Sequence, residues 1–472
     1  MADRKEAANY IAGLLKRARK AQAQIEFASQ DEVDELCTRI GFAGTVPEWT
    51  ENLCEFCVEE SRMGIVQDKI GKMNVKIKGA LRDIKGVKTV GLVEHDKKLG
   101  LMKFAKPMGV IGAVIPCTNP EATPFGKAIN AIKTRNAIVM APHPRTKVTN
   151  KKCVDRMRAV LKKSGFPEDL IITVDPDKVS IEATNELMKQ ADFVIATGGA
   201  GLVKAAYSSE TPSQGVGAGN AVVIVDETCD MKDVANKIMR SKTFDNATSC
   251  STENSLVIQE NVYDELLAAL KDEGAYLCNS EEKAKLQKAM WPNYPDDHIL
   301  NAKIVAQSFA TIAGIAGISA PADRKFFLVE ETGVGDDFIF SREKLSVTTT
   351  VYKYRDFESA VEKVNEITNY CGAGHSCGIH TTDEAKIKEL GEQIKVSRIM
   401  VRQPQCLANS GAWTNGMPMT LTLGCGTWGG NATSENISYK HMLNYTWVSS
   451  PIKANQPSDE ELFGSLTEAD VV

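Results

Sequence analysis

The chain contains 472 residues, of which 43% are hydrophobic and 25% are charged, and its formal net charge is -5. This length is three times the ~150 residues of a typical domain, so the sequence predicts two large domains and an accessory element. The net charge is small and acidic, and no long run of like charges occurs, which argues against nucleic acid as a partner.

The first 85 residues predict helices separated by loops. In the opening helix, apolar residues recur at helical spacing, for example Ile11, Leu14, Leu15 and Ala18. This helix also contains acidic residues and no apolar signal segment follows it, so we expect no targeting peptide. The apolar stretches elsewhere are shorter than the ~20 residues that a membrane span needs. We therefore expect a cytoplasmic protein that does not bind membranes.

Twelve cysteines are scattered along the chain. In a long chain with no signal peptide, this distribution is typical of reduced thiols and not of a disulfide framework. Cys54 and Cys57 form a CxxC pair on a helical pattern, where two buried helix cysteines are a simpler interpretation than a redox or zinc site. We expect no metal site.

Residues 89–106 contain two strand-like runs around HDKKLG, which predicts a β-hairpin. From residue 109 to residue 227, apolar runs alternate with helical segments; the runs are MGVIGAVIPC, NAIVMAPH, DLIITVD, ADFVIATGG and AVVIVDE. Strands that are buried on both faces have this composition, so the region predicts a doubly wound parallel sheet. A second α/β block follows from residue 228, and YTWVSS near the C-terminus predicts an edge strand.

The predicted organisation has three parts. Residues 1–227 form N-terminal helices and a dinucleotide-binding domain, residues 228–405 form a catalytic domain that carries Cys250, and residues 406–472 return to the first domain and end in an oligomerisation strand. The hairpin and the terminal strand both have edge-like patterns that would leave backbone groups unpaired. We therefore expect them to pair between the subunits of a homodimer or homotetramer.

Two short motifs indicate chemistry. In IATGGAGLVKAAYSS a strand is followed by Gly198, Gly199 and Gly201 at the start of a helix, which is where phosphate groups approach the backbone. A glycine turn used only for packing is the alternative, because the motif differs from GxGxxG. Cys250 lies in KTFDNATSCST among small polar residues, which favours an accessible thiol over a small core residue. Together the motifs predict thiol chemistry beside a redox cofactor.

Six further motifs follow one another along the chain: IPCTNP (115–120), KTRNAIVMAPHPR (133–145), GVGAGN (215–220), KTFDNATSC (242–250), GAGH (372–375) and LGCGTWGGN (423–431). With the glycine turn, they resemble the CoA-acylating aldehyde dehydrogenases in order and spacing. The resemblance is closest to the acylating enzymes for acidic aldehydes, namely the sulfoacetaldehyde and succinate semialdehyde dehydrogenases. It implies an α/β fold with a Rossmann-type doubly wound cofactor domain, an α/β catalytic domain and a small β oligomerisation element.

The resemblance also implies catalytic residues. The cysteine of KTFDNATSC makes Cys250 the nucleophile, and the asparagine of IPCTNP makes Asn119 an oxyanion donor together with the backbone N–H of Cys250. His375 of GAGH matches a histidine near the catalytic cysteine, which either accepts a proton from Cys250 or CoA or only shapes the pocket. Hydrolytic relatives have a glutamate general base where this chain has Gly215, so CoA is the expected acyl acceptor.

A site for NADP or NAD follows from the same resemblance. Its expected residues are Thr118, His143, Arg145, Gly198, Gly199, Gly201, Gly217 and Glu343. Glu343 matches the glutamate that holds the nicotinamide ribose. The segment APHPRTK has no acidic residue to bind the adenosine ribose and repel a 2′-phosphate, so NADP is at least tolerated. Alternatively, the basic residues of this segment serve the 3′-phosphate of CoA.

For the substrate, we expect a small anionic aldehyde. Arg402 departs from the asparagine that is usual in relatives, and a guanidinium at the pocket would bind a carboxylate or a sulfonate. A surface arginine is the alternative interpretation, with Arg398 as a competing ligand for the anion. Asn246, Ser249 and Ser251 supply further donors near the nucleophile, which favours sulfoacetaldehyde over succinate semialdehyde or acetaldehyde.

Two functions of other classes compete with this hypothesis. One is a thiol hydrolase that uses Cys250 and His375 beside a vestigial nucleotide domain. The other is a non-catalytic scaffold. The intact glycine turn and the match at Asn119 argue against the hydrolase, and the retention of every expected catalytic position argues against the scaffold.

Overall fold

Helices and strands alternate along most of the chain in the computed structural model, which describes residues 2–472 apart from the side chains of residues 2, 3 and 200. The helices are α1 Ala2–Ile25, α2 Gln30–Ala43, α3 Pro47–Ser61, α4 Val66–Ile84, α5 Thr123–Lys133, α6 Lys147–Lys163, α7 Ile181–Gln190, α8 Ala200–Tyr207, α9 Met231–Thr243, α10 Tyr263–Asp272, α11 Ser280–Met290, α12 Phe309–Ala316, α13 Phe357–Tyr370, α14 Glu384–Gln393, α15 Gln405–Asn409 and α16 Asp459–Phe463. The strands are β1 Gly91–Asp96, β2 Leu101–Pro107, β3 Val110–Ile115, β4 Ala137–Pro142, β5 Ile171–Thr173, β6 Phe193–Thr197, β7 Ser213–Val216, β8 Ala221–Val225, β9 Glu253–Gln259, β10 Ala275–Leu277, β11 Phe326–Glu330, β12 Thr348–Tyr354, β13 Cys377–His380, β14 Ile399–Val401 and β15 Leu443–Ser449.

The first large sheet has five parallel strands in the order β5-β4-β3-β6-β7. Strands β3 and β4 are buried along their whole length, as their apolar sequences predict. The fifth strand is β7 and not AVVIVDE, which was expected to close this sheet. The sequence SQGV of β7 has no apolar run, and Gly215 lies in it because Val203 and Tyr207 of α8 pack where a side chain would be.

The second large sheet has seven parallel strands in the order β10-β11-β12-β9-β8-β13-β14. It includes β8, the AVVIVDE segment, so the second block starts several residues before the expected boundary at residue 227. After β14 the chain returns to the first block. Leu423, Ile437 and Met442 are buried in the core around the five-stranded sheet.

A third, antiparallel sheet is formed by β1, β2 and β15. The hairpin predicted at residues 89–106 is therefore present, and the terminal strand pairs with it inside the same chain, whereas pairing between subunits was expected. Strand β15 is an edge strand of this sheet, and its Tyr445, Trp447 and Val448 side chains are all more than a third exposed. The Lys103 ammonium lies 4.1 Å from the Tyr445 ring centroid and 5.0 Å from the Trp447 ring centroid.

The cysteines carry free thiols, and Cys54 and Cys57 are buried on α3 as the simpler interpretation predicts. Within residues 2–472, no group of three or more His, Cys, Asp or Glu side chains is arranged to hold a metal ion. No helix in the same part of the chain combines the length and the apolar character that crossing a membrane requires.

The Gly374→Ala variant tests how tightly the chain is packed before β13. Gly374 has φ +76°, and an added Cβ would lie 1.8 Å from the carbonyl oxygen of Cys425. We expect this variant to lose about 3 kcal/mol of unfolding free energy, measured by urea denaturation, because the backbone must shift to relieve the clash. In the control, Gly71→Ala on α4, the added Cβ meets no atom within 4 Å. That helix-interior change should stabilise by about 0.5–1 kcal/mol. Equal stability of Gly374→Ala and wild type would contradict the described packing.

Candidate active site

A cavity of about 590 Å³ lies where the carboxyl edge of the five-stranded sheet faces the amino edge of the seven-stranded sheet. The first sheet contributes the segments that follow β3, β4 and β6. The second contributes the segments that precede β9 and β12. Eight predicted site residues line this cavity: Thr118, Asn119, His143, Gly198, Gly199, Gly217, Cys250 and Glu343. Ligands bind at such strand ends in open parallel sheets, so the cavity is the candidate active site.

The loop that carries Cys250 follows α9 through a left-handed turn. Asp245, Asn246 and Ala247 have φ values of +52°, +52° and +61°. Asp and Asn tolerate this conformation better than other residues with a side chain, and Asp245 is held in it by several hydrogen bonds. The Gly219 backbone closes the other side of the loop, since an added Cβ there would lie 1.9 Å from the carbonyl oxygen of Cys250.

Cys250 and His375 are direct partners. The Cys250 Sγ lies 3.1 Å from His375 Nε2, and His375 Nδ1 lies 2.9 Å from the Ser376 hydroxyl oxygen. If Nδ1–H donates to Ser376, then Nε2 carries the lone pair that accepts the thiol proton. His375 is fully buried just before β13, and Arg398 donates to its carbonyl oxygen over 2.8 Å. The geometry suits proton transfer between the thiol and the imidazole.

Electrostatics keep this pair neutral in the resting protein. Burial, and next the nearby Glu343 carboxyl, raise the pKa of Cys250 to about 12. Burial, and next the charge of Arg398, lower the pKa of His375 to about 3. Both shifts oppose a thiolate–imidazolium ion pair. We therefore expect Cys250 to lose its proton only as its sulfur forms a bond to a substrate.

Asn119 lines the same cavity from the end of β3. Its Oδ1 accepts a hydrogen bond of 2.6 Å from the Lys72 ammonium, and its Nδ2 donates to Thr118 Oγ1 over 3.2 Å. An ammonium has no acceptor, so it fixes the amide with the oxygen towards Lys72 and the NH₂ group away from it. Asn119 can therefore present an N–H to the cavity.

Glu343 is a buried carboxyl on the cavity wall. It accepts a hydrogen bond of 3.0 Å from the Gly219 backbone N–H, and burial raises the pKa of Glu343 to about 8. The nearby Gly217 also lines the cavity, whereas Gly215 lies inside β7. Glu343 is the only carboxyl that lines the cavity within the described chain.

The glycine turn lies at the cavity wall, where Gly198 and Gly199 precede α8. Gly199 is the N-cap of α8, and an added Cβ there would meet nothing within 4 Å, so the space in front of the helix is open. His143 also lines the cavity, with its Nδ1 accepting from the Arg145 N–H. Gly201 lies within α8, and the Arg145 guanidinium donates to the Ser61 carbonyl. Neither Gly201 nor Arg145 lines the cavity.

The four expected substrate ligands are not brought together. Arg402 follows β14, and its guanidinium donates to the carbonyl of Thr381, which follows β13. His375 precedes β13, so Arg402 lies at the opposite edge of the sheet, roughly 15 Å or more away at 3.3 Å per residue. The structure therefore corrects the expectation that Arg402 borders the pocket, since parallel strands carry the chain from the cavity to the far edge.

The remaining expected ligands lie nearer to Cys250. The Ser249 and Ser251 hydroxyls are 2.9 Å from each other, and the Asn246 amide donates to the Gly64 carbonyl over 3.4 Å. None of the three side chains lines the cavity as described. Arg398, the competing anion ligand, donates to the backbone carbonyls of His375, Gly424 and Ser434. Arg398 therefore holds backbone segments together and is not placed as a ligand for the anion.

Sequence analysis missed the charged groups behind Asn119. Lys69, Lys72, Glu121 and Asp245 are buried together, with at most 5% exposure of any of them. A signal was present, because Lys69 and Lys72 are three residues apart on the face of α4 that also carries Met73. Charged residues on the apolar stripe of a helix are rarely buried unless they are paired.

The comparisons with known proteins agree with this geometry. A sequence model of the aldehyde dehydrogenase family matches residues 58–290. The sulfoacetaldehyde dehydrogenase (acylating) of Bilophila wadsworthia is 46% identical over 453 residues, covering 95% of this chain and 97% of that protein. A solved acetylating aldehyde dehydrogenase from Geobacillus thermoglucosidasius is similar with TM-score 0.91 and 36% identity, covering 96% of this chain and 99% of that chain.

A third similar protein was solved with a ligand. The propionaldehyde dehydrogenase of Rhodopseudomonas palustris with bound propionyl-CoA matches with TM-score 0.82 and 26% identity, covering 93% of this chain and 94% of that chain. The chain belongs to the aldehyde dehydrogenase family. The predicted resemblance to the CoA-acylating group and the predicted fold class are both confirmed.

The neutral Cys250–His375 pair predicts the pH dependence of alkylation. Iodoacetamide reacts with the thiolate, so the rate at Cys250 should rise about tenfold per pH unit from pH 7 to pH 9 with no plateau. The sign follows from the raised pKa, because the thiolate fraction keeps growing until the pH reaches about 12. Mass spectrometry of the Cys250 peptide measures this rate separately from the other cysteines. A pH-independent rate between pH 6 and pH 8 would show an ion pair instead.

Proposed function

We propose that the chain is an acylating dehydrogenase that oxidises a small anionic aldehyde, with sulfoacetaldehyde as the best candidate, to its acyl-CoA. The observation that carries the proposal is the 3.1 Å contact between Cys250 Sγ and His375 Nε2 at a cavity that also contains Asn119 and the glycine turn. The name of the 46% identical Bilophila wadsworthia relative supports the choice of substrate.

The first step is addition of the Cys250 sulfur to the aldehyde carbon. The thiol proton passes to His375 Nε2 as the carbon–sulfur bond forms, and the carbonyl oxygen becomes an oxyanion. Asn119 Nδ2 and the Cys250 backbone N–H donate to that oxygen. Each such donor contributes roughly 3–4 kcal/mol in comparable sites, because it stabilises charge that exists only near the transition state.

The dinucleotide site is formed by the glycine turn at Gly198 and Gly199 and by Glu343. When bound, NADP or NAD accepts the hydride that leaves the adduct carbon, which leaves a thioester on Cys250. His143, and no acidic residue, follows β4, so the 2′-phosphate of NADP meets no repulsion there. We propose that NADP and NAD are both accepted on these grounds.

Coenzyme A is the proposed acyl acceptor. Gly215 lies in β7 at the position where the resemblance places the general base of hydrolytic relatives. Glu343, the only carboxyl that lines the cavity in the described chain, accepts a hydrogen bond from the Gly219 N–H and is assigned to the dinucleotide site. The CoA thiol needs less activation than water. After His375 has released the first proton to solvent, it takes the CoA proton as the CoA sulfur attacks the thioester, and it returns that proton to the departing Cys250 sulfur.

Recognition of the substrate anion is assigned to neutral donors near the nucleophile. The hydroxyls of Ser249 and Ser251, next to Cys250 in sequence, contact each other and do not line the cavity, whereas the neighbouring Thr118 and Thr248 do line it. A sulfonate has three acceptor oxygens and can be bound by several hydroxyl and amide donors together. Succinate semialdehyde, whose carboxylate would favour a forked guanidinium, is the less favoured substrate.

The substrate proposal and the role of Cys250 are tested in one kinetic series. Reduction of NADP or NAD is followed with CoA and with sulfoacetaldehyde, succinate semialdehyde, acetaldehyde or propanal. We expect the highest kcat/KM with sulfoacetaldehyde and no sustained turnover without CoA. Cys250→Ser should lower acyl-CoA formation at least 1,000-fold, because a serine hydroxyl is a far weaker nucleophile, and should still bind NADPH.

Arg402→Ala is the matched control for the substrate site. We expect it to have wild-type kcat/KM with sulfoacetaldehyde and with propanal, because Arg402 contacts Thr381 at the far edge of the sheet. A loss of kcat/KM with sulfoacetaldehyde but not with propanal would show that Arg402 does bind the substrate anion. Steady turnover of wild type without CoA would instead indicate a hydrolytic enzyme.

We further propose that the protein is a cytoplasmic homodimer or homotetramer. The edge of β15 carries Tyr445, Trp447 and Val448 in exposed positions, and unpaired strand edges of this kind associate. Sedimentation velocity at micromolar concentration should show a dimer or tetramer, and Trp447→Asp should shift it towards monomer. A monodisperse wild-type monomer would contradict the proposal.

A further inference from the structure

A buried cluster of four charges lies behind Asn119. The Lys72 Nζ is 2.5 Å from Asp245 Oδ2 and 3.3 Å from Glu121 Oε1, and the Lys69 Nζ is 3.0 Å from Asp245 Oδ2 and 3.9 Å from Glu121 Oε2. Two cations thus balance two carboxylates. Burial of such groups costs several kcal/mol per ion, and apolar residues often give equal or greater stability at the same place. The cluster therefore points to a role other than stability.

Lys72 differs from Lys69 in one contact. Besides the two carboxylates, the Lys72 ammonium donates to Asn119 Oδ1 over 2.6 Å, whereas the contacts of Lys69 in the cluster are with Asp245 and Glu121. An ammonium has three N–H groups, and Lys72 has three oxygen partners. Two N–H groups donate hydrogen bonds, to Asn119 and Asp245, while the Glu121 carboxylate is an ion-pair partner whose Oε1 accepts no hydrogen bond. Lys72 is thus placed to act on Asn119 and not on the substrate.

Asp245 connects the same ammonium to the nucleophile. Its Oδ2 accepts from Lys72, and also from the Thr248 hydroxyl over 2.8 Å, while its Oδ1 accepts from the Ile65 N–H over 2.7 Å. Asp245 lies five residues before Cys250 in the left-handed turn. One ammonium therefore joins the oxyanion donor Asn119, on one sheet, to the Cys250 loop, on the other.

We propose that Lys72 is a positioning residue that sets the orientation and place of the Asn119 amide relative to Cys250. This inference rests on the proposed function, in which Asn119 donates to the oxyanion. With Lys72 in place, rotation of the amide by 180° would put its NH₂ group against an ammonium. Without Lys72, the amide can turn or shift, and a displacement of about 1 Å in such a site can cost 100-fold in rate.

The test compares two double variants with the same charge change. Lys72→Met/Glu121→Gln leaves Lys69 paired with Asp245, and Lys69→Met/Glu121→Gln leaves Lys72 paired with Asp245. Both remove one buried cation and one buried carboxylate, so neither leaves an unpaired charge in the cluster. We expect the Lys72 pair to lower kcat by about 10- to 100-fold and the Lys69 pair by less than about threefold.

Three further measurements separate positioning from a general structural effect. The dissociation constant of NADPH and the rate of Cys250 alkylation by iodoacetamide should both stay within about twofold of wild type in the Lys72 pair, since neither needs the oxyanion donor. Addition of the Lys72 pair to Asn119→Ala should cause little further loss of kcat, because the two changes act on one interaction. Equal losses in the Lys69 and Lys72 pairs would overturn the proposal.

The Asn119→Ala variant distinguishes the two levels of failure. If Asn119→Ala is strongly impaired while the Lys72 pair has wild-type kcat, only the positioning role of Lys72 is overturned. If Asn119→Ala itself keeps the wild-type kcat, the oxyanion role in the proposed function fails, and the role of Lys72 fails with it.

Discussion

The close contact between the Gly219 backbone and the Cys250 carbonyl is the constraint on which the site depends. A side chain at residue 219 would have to pass through that carbonyl, so the segment between β7 and β8 can lie against the nucleophile loop only as glycine. The same Gly219 donates its N–H to Glu343, and the adjacent Asn220 amide donates to the carbonyls of Ser341 and Cys371. The segment between β7 and β8, which passes from the first sheet to the second, thus contacts the cavity walls that both sheets contribute.

The two sheets contribute different chemistry because their opposite edges meet. The carboxyl edge of the first sheet brings open backbone N–H groups at the start of α8, which suit a bound anion. The amino edge of the second sheet brings Cys250 and His375, whose contact is 3.1 Å. Burial makes the resting pair neutral, so the thiol is protected from general alkylation. Charge develops during addition to the aldehyde, where preorganised donors stabilise it.

The sequence was sufficient for most of the parallel strands and for placing Cys250 at the cavity, because both depend on local patterns. It failed where the outcome depends on long-range placement. AVVIVDE was correctly predicted as a strand, but an apolar run does not say which sheet it joins, and β7 has no apolar run at all. The sequence pattern placed Arg402 at the cavity, but Arg402 follows β14 and therefore lies at the opposite edge of the seven-stranded sheet. Lys72 acts through contacts with residues 47 and 173 positions away, which no spacing could indicate.

Two cations close to the active site, Arg398 and Lys72, contact other residues of the protein. Arg398 donates from its two terminal nitrogens to the carbonyls of His375, Gly424 and Ser434. Lys72 donates hydrogen bonds to Asn119 and Asp245 and forms an ion pair with Glu121. On the proposed function, a substrate anion meets hydroxyl and amide groups of the cavity wall, such as those of Thr118 and Asn119, and no arginine among the described residues that line it. Such donors can distribute themselves over the three oxygens of a sulfonate, whereas a carboxylate gains most from a bidentate arginine. On the proposed function, this division of charge favours sulfoacetaldehyde over a dicarboxylic semialdehyde.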